Sequence, residues 1–272
     1  MNECSYAVLS HLLRSGADLN HQDSTSRTPL HVCFNSASRA VIEYHYSEID
    51  STSQDASGMT VTQYVAWTKR STYLDLVRCC KDDMSCLDIV NEEGKTAFHL
   101  ACQRGNVDLV RHLCRQEAVD VSRRDNYGRS ALYYATESSM SAQTIEILVE
   151  KGLDIHAKDC YNRTVLHHAA SRGHIGAVET LSKYGAASDL DVLDDRSRTP
   201  MEVAAMKGHE KVVEILRTRS RGSSIPCSIT QLQPELEHTK NRKKPWRKAA
   251  SSFLFYCSMV SLAITAYLWH FT

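Results

Sequence analysis

The sequence predicts an all-α chain: a solenoid of stacked helix pairs with hairpin fingers, then one C-terminal transmembrane helix. Three observations predict it. A Thr or Ser recurs at Thr28, Thr60, Thr96, Ser130, Thr164 and Thr199, with spacings of 32, 36, 34, 34 and 35 residues. Each begins a pair of short apolar stretches with helical spacing, neither apolar enough to fold without neighbours. Finally, the last 24 residues, Ala249 to Thr272, contain no Asp, Glu, Lys or Arg.

Composition narrows the function classes. The 272 residues carry 32 basic and 32 acidic side chains. A general nucleic-acid binder would carry a basic excess on its domain, so none is expected. Eleven Gly and five Pro are too few for a disordered chain. A repeat of this period overrides the estimate of one or two globular domains from length, because a solenoid grows by addition.

The chain opens on a second helix of a pair, with Val8, Leu9, Leu12 and Leu13 apolar and Gly16 available to end it. Its first helix is missing, so this edge is an unusual cap or the sequence belongs to a longer protein. Met1 to Arg14 does not read as a secretory signal, because its apolar run is short and His11 interrupts it.

Six turns then punctuate the chain. Five residues before each Thr or Ser stands Asp23, Asp55, Asn91, Asp125, Asp159 or Asp194. Two residues before it stands Ser26, Gly58, Gly94, Gly128, Asn162 or Ser197. Asp and Asn bond their own backbone, and Gly and Asn accept positive φ, as a tight turn requires. The Thr hydroxyl caps the first helix, and Pro29 and Pro200 fit its first position, where no N–H is needed. Small residues such as Ala101, Ala135, Ala169 and Ala204 let the helices approach. Gly105, Gly173 and Gly208 end the first helix, and Val110, Leu113, Val178, Leu181, Val213 and Leu216 face inward on the second.

The segments beginning at Thr28 (TPLHVC), Thr164 (TVLHHAASRGHIGAVETL) and Thr199 (TPMEVAAMKGHEKVVEIL) resemble ankyrin repeats. The resemblance covers about residues 5 to 219. It implies antiparallel helix pairs in an L-shaped solenoid of a half repeat and about six repeats, over residues 1–219. The repeat at Thr60 departs most, with Val61 and Gln63 in the places of Pro and His. The repeat at Ser130 carries one extra residue around Ser138 and Ser139. Both are expected to be looser, or shaped for a partner.

Residues 220–248 read as a flexible linker ending in a basic run of Lys240, Arg242, Lys243, Lys244, Arg247 and Lys248. Residues 249–272 read as the transmembrane helix. Phe253 to Trp269 would span ~25 Å at ~1.5 Å per residue, close to the hydrocarbon thickness of a thin bilayer. Tyr256, Tyr267 and Trp269 lie towards its ends, where amphipathic rings favour the interface. The basic flank precedes the span, so the repeats are expected to face the cytosol, single-pass, in the manner of a tail-anchored protein.

No catalytic constellation is legible, and neither cofactor, metal nor small-molecule substrate is expected. His209 and Glu210 begin a zinc-protease motif, but Val213 stands where its second His would be. His167, His168 and His174 read as structural histidines rather than metal ligands. Cys33 and Cys102 read as small buried residues, and the group Cys79, Cys80 and Cys86 is not spaced like a zinc site; a structural role without metal or disulfide is expected. The basic residues before the repeat Thr (Arg27, Lys95, Arg129, Arg163 and Arg198) read as an exposed hairpin position rather than an electropositive ridge.

The resemblance also implies that fingers and first helices line a concave groove that binds other proteins. Mapped here, that surface carries Tyr127 and Tyr161 on adjacent finger tips, and Tyr64, Trp67, Tyr134 and His168 on first helices. Aromatic side chains are frequent anchors of binding. Tyr134 and Trp67 could equally pack between repeats. The sequence therefore predicts a membrane-anchored scaffold or adaptor, with other proteins and the bilayer as partners. The alternatives are a truncated product of an ankyrin-bearing S-acyltransferase or ion channel, and a soluble ankyrin adaptor. The first lacks an Asp-His-His-Cys sequence or a pore region in this chain.

Overall fold

Each turn is built by one side chain. Asp125 Oδ1 accepts from the backbone N–H of Tyr127 at 2.9 Å and of Arg129 at 2.8 Å. Asp23, Asp55, Asn91, Asp159 and Asp194 make the same two bonds to the residues two and four positions on. The loop closes through a residue in the left-handed region, at Ser26, Gly58, Gly94, Gly128, Asn162 and Ser197. These are the six turns read from the sequence.

The computed structural model describes residues 11, 15–18, 20–29, 31, 50–68, 84–138 and 140–220. All of them lie in the first of two units, Met1–Ile225. Nine helices can be delimited there: α1 (Val61–Trp67), α2 (Ala97–Arg104), α3 (Val107–Leu113), α4 (Ala131–Ala135), α5 (Ser141–Glu150), α6 (Val165–Arg172), α7 (Ile175–Lys183), α8 (Pro200–Met206) and α9 (Glu210–Ser220). Short 3-10 turns occur at Met84–Asp88 and Ala186–Asp189. First helices stack on first helices (α1 on α2, α2 on α4, α6 on α8), and second helices stack likewise (α3 on α5, α5 on α7). Among the described residues the only β pairing is two isolated bridges, Gln54 with Thr60 and Lys158 with Thr164.

The core runs along the stack and has no single centre. Ala97, Ala101, Ala131, Ala135, Ala169, Ala170 and Ala204 are fully buried, and Leu109, Leu113, Ile145, Leu148, Val178 and Leu181 close it from the second helices. Cys102 and Cys114 are buried free thiols, and burial raises the pKa of both. They act as small apolar residues, as expected. Cys86 differs: its sulfur is in a disulfide, which corrects the expectation for that group. A bridge constrains the unfolded chain, and a cysteine spacing alone does not reveal one.

Successive repeats are joined by two sets of bonds. One runs finger to finger: Ala56 N to Thr25 O, Glu92 N to Ser57 O, Asn126 N to Glu93 O, Cys160 N to Tyr127 O and Asp195 N to Tyr161 O. The other starts three residues after the repeat Thr. His167 Nδ1 accepts from the Thr164 N–H at 3.2 Å, and its Nε2 lies 3.0 Å from Arg198 O in the next repeat. His31 repeats this with Thr28 and Met59. Gln63 does it with an amide, Oε1 accepting from Thr60 N and Nε2 donating to Lys95 O. The Thr60 repeat is thus regular at its first helix, because Gln offers the same acceptor and donor as imidazole. The Ser130 repeat is not: Tyr133 replaces His, and Ser130 makes no side-chain cap. Tyr133 Oη instead reaches forward to the carbonyl oxygens of Ala157, at 3.0 Å, and Arg163.

Among the described residues no helix is long and apolar enough to cross a membrane. The expected span at 249–272 and the linker lie outside the described residues, except that α9 continues through Ser220.

Candidate functional site

The finger tips carry the most exposed aromatic side chains among the described residues. Tyr127 is 41% exposed and Tyr161 47%. They occupy the same position on adjacent fingers, linked by the 2.9 Å bond from Cys160 N to Tyr127 O. Each ring is backed by an arginine two residues on. Arg129 lies 4.6 Å from the Tyr127 centroid and Arg163 4.9 Å from that of Tyr161. Each arginine is in turn fixed by the turn aspartate: Arg129 to Asp125 at 2.6 Å and Arg163 to Asp159 at 2.7 Å, both carboxylates buried. The rings are therefore held on rigid supports, so ordering them on binding costs little side-chain entropy.

The same pairing governs charge. Arg27 and Arg198 also bind their turn aspartates, at 3.3 and 2.6 Å, and Lys95 lies 2.5 Å from Glu93. The row of basic residues along the fingers is neutralised locally. Burial pushes the Asp125 pKa up, but hydrogen bonds from Tyr134 and Arg129 outweigh it, and the carboxyl titrates below its ordinary value.

The first-helix residues fall into two groups. Tyr64 and Trp67 on α1 are half-buried. Tyr64 Oη donates to Asp55 Oδ2 at 2.7 Å, and burial together with that bond pushes its pKa up to about 12. The Arg104 guanidinium covers one face of Trp67 at 3.7 Å, and Arg104 Nε donates to Trp67 O. Trp67 thus packs between repeats while keeping part of its surface in solvent.

Tyr134 and His168 are buried, at 1% and 8% exposure, and offer a partner almost no area. Tyr134 Oη donates to Asp125 Oδ2, as Tyr64 does to Asp55, and its ring edge meets His99 at 5.3 Å. His168 shares a 2.9 Å bond with Thr136 Oγ1. Burial, with Arg172, Arg129 and Arg163 nearby, lowers its pKa to about 3. The imidazole is therefore neutral at physiological pH, and its 3.5 Å approach to Glu137 is not an ion pair. Glu137 is held instead by Arg172 and Gln103, each at 2.6 Å. That cluster was not legible beforehand, since its members come from three repeats. The arginine supports were written in the sequence as a Tyr two residues before an Arg, in both DNYGR and DCYNR.

Among the described residues no group of three or more His, Cys, Asp or Glu is placed to hold a metal ion.

A family model for ankyrin repeats in three copies matches residues 72–159 and 140–227, together more than half of the chain. Among solved structures, 490 chains match, so the fold is widely shared and names no partner by itself. One of them is the ankyrin repeat domain of Bcl-3, described as a unique member of the IkappaB protein family. It is 24% identical, with a TM-score of 0.56, and the match covers 78% of this chain and 91% of that one. At that identity the likeness speaks for the fold. With its turns, caps and stacked helix pairs matched by the family model, the chain belongs to the ankyrin-repeat family.

Proposed function

We propose that the solenoid is a non-catalytic protein-recognition domain that meets its partner through the finger tips, with Tyr127 and Tyr161 as anchors. The observation that carries this reading is the pair of exposed rings on adjacent, hydrogen-bonded fingers, each braced by an arginine whose charge a buried aspartate cancels. An exposed aromatic pair on a rigid, neutral support suits burial against another protein better than phosphate recognition. Tyr64 and Trp67 extend the surface on the first helices. Tyr134 and His168 support it from beneath.

The reading includes a tether. The uncharged stretch 249–272 crosses a membrane, the basic run from Lys240 to Lys248 stays on the cytosolic side, and the repeats act as a scaffold or adaptor there. Confinement to a surface raises the effective concentration for membrane-associated partners. Proximity labelling of the full chain tests both parts. Tyr127→Ala with Tyr161→Ala is expected to remove a subset of neighbours while the melting curve stays unchanged. A chain ending at Lys248 is expected to lose membrane neighbours and to be released by alkaline carbonate. Unchanged neighbours in the double variant, or carbonate release of the full chain, would sink the respective half.

A further inference from the structure

The second helices form a groove that the finger surface does not use. It lies between α3 and α5, with a volume of about 610 Å³, and is open to solvent. Beside Gly173, the ring of His209 from the next repeat fills the space: a Cβ on Gly173 would lie 2.5 Å from His209 Nδ1, and His209 Nε2 bonds Ser171 O at 3.0 Å. Beside Gly105 the same place is taken by Ser138 and Met140, from the repeat with the extra residue.

Met140 breaks a local rule. It is the N-cap of α5 and makes no capping bond, whereas Asn106 caps α3 through its side chain. An apolar N-cap forgoes roughly 1 kcal/mol of helix stability. Its side chain is nevertheless 42% exposed. His174, at the same place on α7, also makes no capping bond, so what marks this site is the exposed thioether at the mouth of the groove. Val107 and Ile147 continue the apolar floor, and Asp108, Glu146 and Glu150 line the same groove. Arg111 is the one cation among its lining residues. Lys183 reaches Glu146 at 3.7 Å, but both side chains are well exposed and the pair contributes little. The lining is net acidic.

We propose that this groove docks a basic amphipathic segment of a partner protein, at a surface separate from the finger tips. An apolar side chain enters against Val107, Met140 and Ile147, and flanking Lys or Arg side chains face Asp108, Glu146 and Glu150. A thioether on an adaptable stem suits an apolar contact of variable shape. Charge complementarity supplies the preference for a basic over an acidic segment.

The test uses the full chain in neutral detergent and three labelled peptides of about 12 residues, a length of about three helical turns. Each peptide has one central Trp, flanked by Lys, by Gln or by Glu, and binding is read by fluorescence anisotropy. The Trp–Lys peptide is expected to bind most tightly and to weaken from about 50 to about 300 mM salt. Glu146→Lys with Glu150→Lys is expected to weaken it about tenfold or more. Met140→Asn is expected to weaken it as well, with the melting temperature within error of wild type. Tyr127→Ala with Tyr161→Ala is expected to leave it unchanged. Equal affinity for the Trp–Gln peptide, or equal binding by wild type and the charge-reversed variant, would overturn the proposal.

Discussion

His167 Nε2 lies 3.0 Å from the carbonyl oxygen of Arg198, one repeat further along the chain, while its Nδ1 receives the Thr164 N–H at 3.2 Å. One neutral ring thus closes its own helix start and clasps the next finger. The tautomer follows from the geometry: an acceptor at Nδ1 places the proton on Nε2.

Replacing that ring separates its two roles from its volume. His167→Ala leaves the buried Thr164 N–H without its acceptor, takes from Arg198 O the bond between repeats while its bond from the Asp194 N–H stays, and opens a void; it is expected to destabilise the chain by ~2–4 kcal/mol. His167→Gln is expected to recover most of this loss, because Gln63 already performs both bonds in the Thr60 repeat. Urea midpoints of the two variants measure the difference. Equal losses would show that packing alone matters at this position.

The buried histidines also fix a pH dependence. Burial lowers the pKa of His31, His99, His167 and His168, to about 4 for His99 and about 3 for His168. The unfolded chain binds these protons near pH 6.5, and the folded chain only below it, well below for His99 and His168. Between those values the unfolded state holds more protons, so stability falls as pH falls, by up to ~1.4 kcal/mol per unit for each ring. Three of the turn aspartates act in a second, lower window. The folded pKa values of Asp23, Asp125 and Asp194 are depressed, that of Asp23 to about 2 by its hydrogen bonds from Thr25 and Arg27, so the contribution of these three is lost only below about pH 4. Urea unfolding at intervals from pH 7.5 to 3 should show both windows, and His168→Gln should flatten the upper one.

Gly94 has φ +78°, and a Cβ there would lie 2.6 Å from the Asn126 backbone nitrogen on the next finger. Gly152 has φ +93° with nothing within 4 Å. Gly152→Ala is expected to cost only the left-handed penalty, ~1 kcal/mol. Gly94→Ala adds a clash with backbone that cannot swing aside, and is expected to cost at least ~1–3 kcal/mol more. Thermal melts of the pair check this directly.

Two tyrosines that look alike in sequence should behave oppositely. Tyr134→Phe removes a hydrogen bond to the buried Asp125 carboxylate and is expected to cost ~1.5–3 kcal/mol. Tyr127→Phe keeps the ring against Arg129 and breaks no such bond, so its melting temperature should stay within error of wild type. The opposite order would reverse the assignment of support and surface.

The punctuation of the fold was legible residue by residue. Asp125, Gly128 and Ser130 announce their turn at fixed offsets, because few residue types satisfy that backbone. Depth was not legible. The position four residues after the repeat Thr holds Tyr64, Leu100, Tyr134, His168 and Val203, and nothing in those types tells that Tyr134 is sealed while Tyr64 is half open. Both rings meet the histidine of the preceding repeat edge-on, His31 for Tyr64 and His99 for Tyr134; Tyr134 has in addition Arg129 and Lys95 over its face. The Thr60 repeat was expected to be looser, or shaped for a partner, because Val61 and Gln63 depart from the pattern; Lys69, which also departs, lies outside the described residues, and at the first helix Gln63 decides the outcome. Its chemistry, one acceptor and one donor at similar reach, keeps its cap and its inter-repeat bond regular. The groove lined by Val107, Met140 and Ile147 has no motif of its own in the sequence.

The bonds from Thr25 to Ala56 and onward to Asp195 stitch each finger only to its immediate neighbours. A strip fastened this way has no keystone: cutting one stitch leaves two shorter strips instead of a collapsed whole. Amide exchange should therefore be graded, slowest for the interior helices α2 and α6 and progressively faster towards α9, with unravelling starting where a module has a companion on one side only.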